Sequence, residues 1–307
     1  MAGNRVRSRA DYLTYLGFLG IIGFISPSLK FLKLFFLFFL VPVILSLYDA
    51  VKRNDSTKNN SDYLRELIFG MILNPHLLFQ TVLHSSCQTL THLRLKIKGP
   101  SESEHGTKTE FSLPFSGIWY VENGGTDRKK SHSWDVLNQR YSYDFVIRDQ
   151  DGRTYRGDGR KLEDFYAFGK PVHAPADGVV VQVRDDVPDN TAIGRIDYRA
   201  KDFRGNFVVI KHSESEYSFT AHLKYKSVRV RKGDEVKKGE IIGYCGNSGH
   251  STEPHIHFHV QDRPNFYLAA SLPIRFANIC IIDSDKRVFV RQGYISRGQH
   301  VSNGTCG

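Results

Sequence analysis

Pro254-His255-Ile256-His257-Phe258-His259-Val260 alternates imidazole with apolar side chains over one short stretch. Strand side chains repeat every second residue, so this spacing predicts a strand over 255–261 with two different faces. Ile256, Phe258 and Val260 then turn to a core, and His255 and His257 turn to a cleft. Far earlier in the chain, Tyr143-Asp144-Phe145 shows the same alternation, with a carboxylate between two aromatic rings. Two imidazoles and a carboxylate converging on one cleft would suit a zinc ion. The alternative is that these histidines are merely solvated on a polar sheet face.

From Phe111 onward, short alternating segments are separated by Gly, Asp, Asn and Pro, as in all-β domains. The candidate strands are 117–121, 141–148, 177–184, 205–212, 217–222, 227–230, 241–245 and 255–261. The charged segment 185–204, which contains Pro188, reads as an irregular loop. Residues 279–292 are candidates for a further strand pair, and the last ten residues are expected to be disordered. No internal repeat or low-complexity tract is present.

The N-terminal part has a different character. Residues 1–11 are polar and carry Arg5, Arg7 and Arg9. Tyr12 to Leu29 and Leu34 to Tyr48 are uncharged and strongly apolar, with Lys30 and Lys33 between them. A bilayer span needs about 17–25 apolar residues. Each stretch alone is near the lower limit; together they predict a membrane hairpin over 12–48 and contact with a lipid bilayer. A buried helical pair is the alternative. Residues 49–110 read as a linker followed by an amphipathic helical region, which Pro75 breaks or kinks. The expected organisation is therefore a polar N-terminus (1–11), a membrane hairpin (12–48), a linker and helical region (49–110), a β domain (111–278) and a C-terminal extension (279–307).

The chain of 307 residues carries 42 Lys and Arg against 32 Asp and Glu, a net charge of +10. That balance fits an anionic partner such as a wall polymer or lipid head groups, or simply a soluble cationic surface. No arginine-rich arm or RNA-binding signature is present, so nucleic acid is not an expected partner. Cys87, Cys245, Cys280 and Cys306 form no Cys-x-x-Cys pair and do not read as a disulfide framework.

Several segments, in order, carry a family resemblance. They are Gly169-Lys170-Pro171-Val172-His173-Ala174-Pro175-Ala176-Asp177-Gly178-Val179-Val180, Tyr217 to Leu223 ending Ala221-His222-Leu223, and Val230 to Gly243. Gly246-Asn247-Ser248-Gly249 followed by Pro254-His255-Ile256-His257-Phe258 closes the set. Over roughly residues 115–275 the chain resembles the lysostaphin/LytM-type zinc metallopeptidases. The resemblance implies an all-β catalytic domain, an antiparallel sandwich or ribbon of duplicated-hybrid-motif character, here preceded by the helical membrane hairpin. It implies Asp144 and His257 as zinc ligands and His222 and His255 as the catalytic histidines beside the metal-bound water. It also implies a peptide or peptidoglycan-like polymer as substrate.

Two positions depart from the family pattern. A histidine ligand is expected four residues before the aspartate, where this chain has Arg140. An arginine aimed at a dication would be repulsive, so Arg140 must point elsewhere or the site is damaged. His132 is the candidate stand-in ligand, with an exposed loop histidine as the equal alternative. His259 stands where the family often carries a glutamate, either as a partner of His257 or as a solvated residue. His173, His212 and His250 are expected at the surface.

The leading expectation is a membrane-anchored zinc endopeptidase acting on cell-wall peptide cross-links, with its domain outside the cytoplasm. Charges at both ends of the hairpin count slightly for a cytoplasmic domain; a single span would reconcile the two. A second expectation is a degenerate, non-catalytic member of the same fold that binds the wall or activates a hydrolase. A third is a lipoyl or biotinyl carrier domain, for which Lys237-Lys238 sits in a turn without the expected flanking pattern.

Overall fold

The computed structural model describes residues 16, 17, 19, 20, 27–41, 44, 74–98, 106–283 and 286–306. The chain divides into two compact units, Met1–Ile97 and Lys98–Gly307. In the first, Pro27–Leu40 forms a 3₁₀-type helix and Pro75–Lys98 an α-helix, α1. Pro75 begins α1. Asn74 caps it, its Oδ1 accepting from the backbone N–H of His76 and Leu77, and proline is well suited to the first helical position. Much of the expected membrane hairpin, and residues 49–73, lie outside the described residues. Among the described residues no helix is long and apolar enough to cross a membrane.

The second unit is an antiparallel β structure. Its strands are β1 (Trp119–Asn123), β2 (Tyr143–Val146), β3 (Pro171–His173), β4 (Gly178–Arg184), β5 (Asn206–Ser213), β6 (Glu216–Leu223) and β7 (Glu235–Val236). They continue as β8 (Ile241–Tyr244), β9 (Ile256–Gln261), β10 (Ser271–Leu272), β11 (Phe276–Asp283), β12 (Lys286–Gly293) and β13 (His300–Asn303). Among the described residues one large sheet runs β12-β11-β13-β1-β2-β9-β6-β5-β4-β7, with β10 beside β9, and β3 pairs β8 in a separate ribbon.

Period-two alternation sorts the side chains of the large sheet. Tyr143 and Phe145 of β2, Ile256, Phe258 and Val260 of β9, and Val208 and Ile210 of β5 enter one buried cluster. That cluster also takes Val172 of β3 and Ile242 of β8, so the ribbon covers this face. Phe207, Val209, Phe219 and Ala221 point to the other face and form a smaller cluster with Phe266. Asp144, His257 and His259 share that second face. A one-residue slip of β2 or β9 would turn its polar residues into the main core.

Three expectations are corrected. Residues 227–230 are not a strand, because Ser227 and Val228 donate their N–H groups to the Asp185 side chain instead of a neighbouring strand. The last ten residues are not disordered: β13 inserts between β11 and β1, pairing Ile281 and Trp119 with Val301. Asn303 adds bonds to the backbone of Leu113 and Phe115. Finally, Cys280 and Cys306 form a disulfide across 26 residues, which the spacing of the cysteines did not suggest. Cys87 and Cys245 are free and buried, and burial pushes both thiols up in pKa.

Candidate active site

The candidate site is built where β2, β9 and β6 lie side by side. Asp144 pairs with His257 across β2 and β9, and His257 pairs with Ala221 across β9 and β6. Directly opposed residues on adjacent strands bring their side chains together on one face. His257 Nδ1 accordingly lies 2.9 Å from Asp144 Oδ1. His255 Nε2 lies 3.7 Å from the same oxygen, and His132 Nδ1 lies 3.5 Å from Asp144 Oδ2. Asn123, on β1, donates to Oδ2 at 3.3 Å. Burial by itself would raise the Asp144 carboxyl, but contact with His257 and the charges of His255, His257 and His132 outweigh it. The group is held well below the usual carboxylate range.

His222 and His255 lie tilted against each other beside this group, with ring centroids 4.8 Å apart, and His222 lies 5.8 Å from His257. His222 Nδ1 is 2.7 Å from the Ser248 carbonyl, and His255 Nδ1 is 2.8 Å from the Glu253 carbonyl. A carbonyl can only accept, so each Nδ1 carries the proton and, in the neutral ring, each Nε2 is bare. Burial, then the neighbouring His255 and His257, push the His222 pKa well down, which keeps it neutral. His222 also has φ of 59°, in the left-handed region that side-chain-bearing residues rarely occupy. Strained backbone of this kind persists where the surroundings over-determine it; here the Ser248 carbonyl fixes the ring at the end of β6.

Arg140 points away from the cluster. Its Nε donates to the Trp134 carbonyl at 2.9 Å, and its guanidinium lies 5.3 Å from the centre of the Trp134 ring. The structure thus brings together all five predicted site residues: Asp144, His257, His132, His222 and His255. His259 is fully buried, not solvated; its ring stacks on Phe219 at 4.9 Å. His212 bonds Ser218 and the Asp177 carbonyl, and His250 is packed near Tyr198 and Phe203 with a pKa lowered by burial to about 4. Sequence reasoning missed Asn123, Ser248, Glu253 and Gln261. Three of these act on the histidines through contacts that no residue pattern encodes; two of the contacts are backbone carbonyls.

Among the described residues no group of three or more His, Cys, Asp or Glu side chains is arranged to hold a metal ion. The two oxygens of Asp144 face different imidazoles, Oδ1 those of His257 and His255 and Oδ2 that of His132. In kind, a carboxylate and imidazoles, the donors are those that zinc takes. Two donors on one tetrahedral zinc at about 2.0–2.1 Å lie about 3.3–3.4 Å apart. The His257 and His132 nitrogens lie 2.9 and 3.5 Å from Asp144, each against a different oxygen.

Residues 161–266 match the model described as Peptidase family M23. The chain carries an M23 peptidase domain. The matched part of the M23 domain includes His222, His255 and His257; Asp144 and His132 precede it. The chain is 29% identical over 189 residues to peptidoglycan DD-endopeptidase ShyA of Vibrio cholerae, covering 58% of this chain and 40% of that protein. It is 38% identical over 162 residues to an uncharacterized metalloprotease of Haemophilus influenzae, covering 52% and 31%. The chain thus matches less than half the length of either relative. Among solved structures, the catalytic domain of the antimicrobial peptidase lysostaphin from Staphylococcus simulans aligns at 20% identity and a TM-score of 0.27. That alignment covers 55% of this chain and 90% of the other.

Proposed function

We propose that the M23 domain hydrolyses peptide bonds in cell-wall peptide cross-links, with a zinc ion held by Asp144, His257 and His132. The observation that carries this reading is the buried Asp144 carboxylate with three imidazole nitrogens within 3.7 Å. Zinc, when bound, supplies an acidified water and a Lewis acid for the scissile carbonyl. The remaining chemistry belongs to the chain. His222, neutral and with its Nε2 bare, takes a proton; such positioned bases contribute about 10²–10⁴-fold. His255, oriented through Nδ1, presents its Nε2 to the same space, where in protonated form it steadies a developing oxyanion or the departing amine. Similarity to ShyA, a peptidoglycan DD-endopeptidase, supports this substrate class.

Treatment of the purified chain with a chelator is expected to stop release of new termini from cross-linked peptidoglycan, and one equivalent of zinc is expected to restore it. Full hydrolysis by metal-free protein would sink the proposal. A second reading, a non-hydrolytic binding module, is favoured by Arg140, which stands where a histidine ligand is expected and turns to Trp134 instead. Under that reading the chain sediments with peptidoglycan, cleaves nothing, and takes up no zinc.

We further place the domain outside the cytoplasm, held at a membrane by the apolar stretches within 12–48. The Cys280–Cys306 disulfide supports the compartment, since such bonds persist where the surroundings are oxidising. Protease added to intact cells, or to cells stripped only of wall and outer layers, is expected to degrade residues 98–307. Protection until the membrane is opened would contradict this placement.

A further inference from the structure

β11, β12 and β13 follow the residues that match the M23 model, 161–266, and widen the large sheet beyond β1. Their registers carry one row of side chains outward from the site. Ile256 pairs Phe145, so His255, one residue earlier, lies level with Val146. Val146 pairs Tyr120 on β1, and Tyr120 pairs His300 on β13. His300 pairs Ile282 on β11, and Ile282 pairs Arg287 on β12. Directly paired residues share a sheet face, so this row lies on the face that bears Asp144. The opposite face of the same strands, with Trp119, Val301, Ile281 and Val290, is turned to the main core.

The outer end of the row is open, basic and apolar. Along β12, Arg287, Phe289 and Arg291 share the site's face and are all exposed, Phe289 at 47%. Residues 279–307 carry Lys286, Arg287, Arg291 and Arg297 against Asp283 and Asp285. Midway along the row, Arg148 lies 3.9 Å from the centre of the Tyr120 ring and is balanced by Glu122, so the excess positive charge falls on β12. The outer strands are firmly based: β12 pairs β11 along its whole length, and Cys280, opposite Phe289, is bonded to Cys306. Adjacent strands lie about 4.8 Å apart and turn by about 20–25°, so over the four steps from β2 to β12 the face extends about 19 Å and turns through about 80–100°. A flat lipid surface does not follow such a turn; a flexible linear polymer does. Pairing β12 with a second copy of itself would set one cationic edge against another, which edge-strand Lys and Arg oppose.

We propose that the site-side face of β1, β13, β11 and β12 is a docking surface for the anionic wall polymer beyond the peptide held in the cleft. Arg287 and Arg291 meet its carboxylates, and Phe289 packs on its apolar faces. The inference rests on the proposed function for the identity of the polymer and adds where the rest of that polymer is held. Charge complementarity supplies the match, and the unbroken register from His255 to Arg287 supplies the continuity. A chain engaged both in the cleft and on β12 is held by two linked contacts, which together exceed either alone.

The test is sedimentation of the full chain with insoluble peptidoglycan, in chelator so that hydrolysis does not intervene. The double variant Arg287→Glu, Arg291→Glu is expected to bind at least about tenfold more weakly, because attraction becomes repulsion. Phe289→Ala is expected to lose about threefold to tenfold through the lost apolar contact. Lys232→Glu, Lys238→Glu makes the same change of charge beside β7, at the other end of the sheet, and is expected to bind as wild type does. Peptidoglycan whose carboxylates have been converted to neutral amides is expected to bind wild type and the arginine variant equally. Wild-type affinity in the arginine variant, equal loss in the lysine variant, or undiminished wild-type binding to the amidated polymer overturns the proposal. So does arginine-dependent binding to phosphatidylglycerol vesicles in place of peptidoglycan, or a wild-type dimer that the arginine variant abolishes. Turnover is scored separately without chelator. A turning-over enzyme whose arginine variant binds normally loses this surface and keeps the proposed function; a chain that cleaves nothing yet shows the expected binding losses keeps the surface and loses the hydrolase.

Discussion

Asp144→Ala is expected to remove zinc and hydrolysis together. The side chain is buried at the centre of the sheet and faces His257 on one oxygen and His132 and Asn123 on the other. No other carboxylate is within 4.0 Å of these imidazoles among the described residues. Without it the remaining donors are neutral imidazoles alone. Zinc content is expected to fall from about one per chain to below about 0.1, because metal binding depends on a complete deprotonated ligand set. Hydrolysis is expected to fall by at least about 10³-fold, since the ion supplies both the nucleophile and carbonyl polarisation. Asp144→Asn separates charge from shape: the amide is nearly the same size, and it is expected to fail as alanine does. Metal analysis and a turnover assay on the three proteins read the result. Full zinc occupancy in Asp144→Ala would show that the ion, if present, sits elsewhere.

Asn206→Ala is expected to give a large stability loss for the removal of one polar side chain near the site. Asn206 opens β5 and is fully buried. Its Oδ1 accepts from Val187 N at 2.8 Å, and its Nδ2 donates to the carbonyls of Val187 at 2.7 Å and Leu223 at 3.0 Å. Alanine leaves both backbone groups of Val187 without this partner in a buried setting. Each such orphan costs about 1–3 kcal/mol, so a loss of about 3 kcal/mol is expected. For a unit of this size that corresponds to a fall of about 6–12 °C in Tm. The Leu223 carbonyl keeps a bond from Ser248 Oγ at 2.6 Å, so it is not orphaned. The same Ser248 holds His222 through its own carbonyl, and turnover is therefore expected to fall with stability. A change in Tm under about 2 °C would show that water replaces the amide at little cost.

Much of the site could be read in advance because its residues lie on strands with strict alternation. Asp144 between Tyr143 and Phe145, and His257 between Ile256 and Phe258, can face the cleft only if their neighbours face the core. Arg140 lies against Trp134, so its charge is directed at that ring and carbonyl. Other features left no comparable pattern. β3, β7 and β10 are two or three residues long, too short to show a period. β13 has one fully buried apolar residue, Val301, and exists because β11 and β1 offer edges on both sides. The Cys280–Cys306 bond depends on that same arrangement, which brings a distant tail back to β11. The orientation of His222 and His255 depends on two carbonyls, which every residue possesses and no sequence pattern marks.

The pairing of β2 with β9 joins residues 113 positions apart in the chain. During synthesis Asp144 leaves the ribosome long before His257 exists, so a nascent or truncated polypeptide ending before β9 lacks the contact altogether. Closing so wide a loop is entropically costly until intervening strands have already docked. The Asp144–His257 centre is therefore a late product of assembly, and a chain that stops short of β9 never holds it.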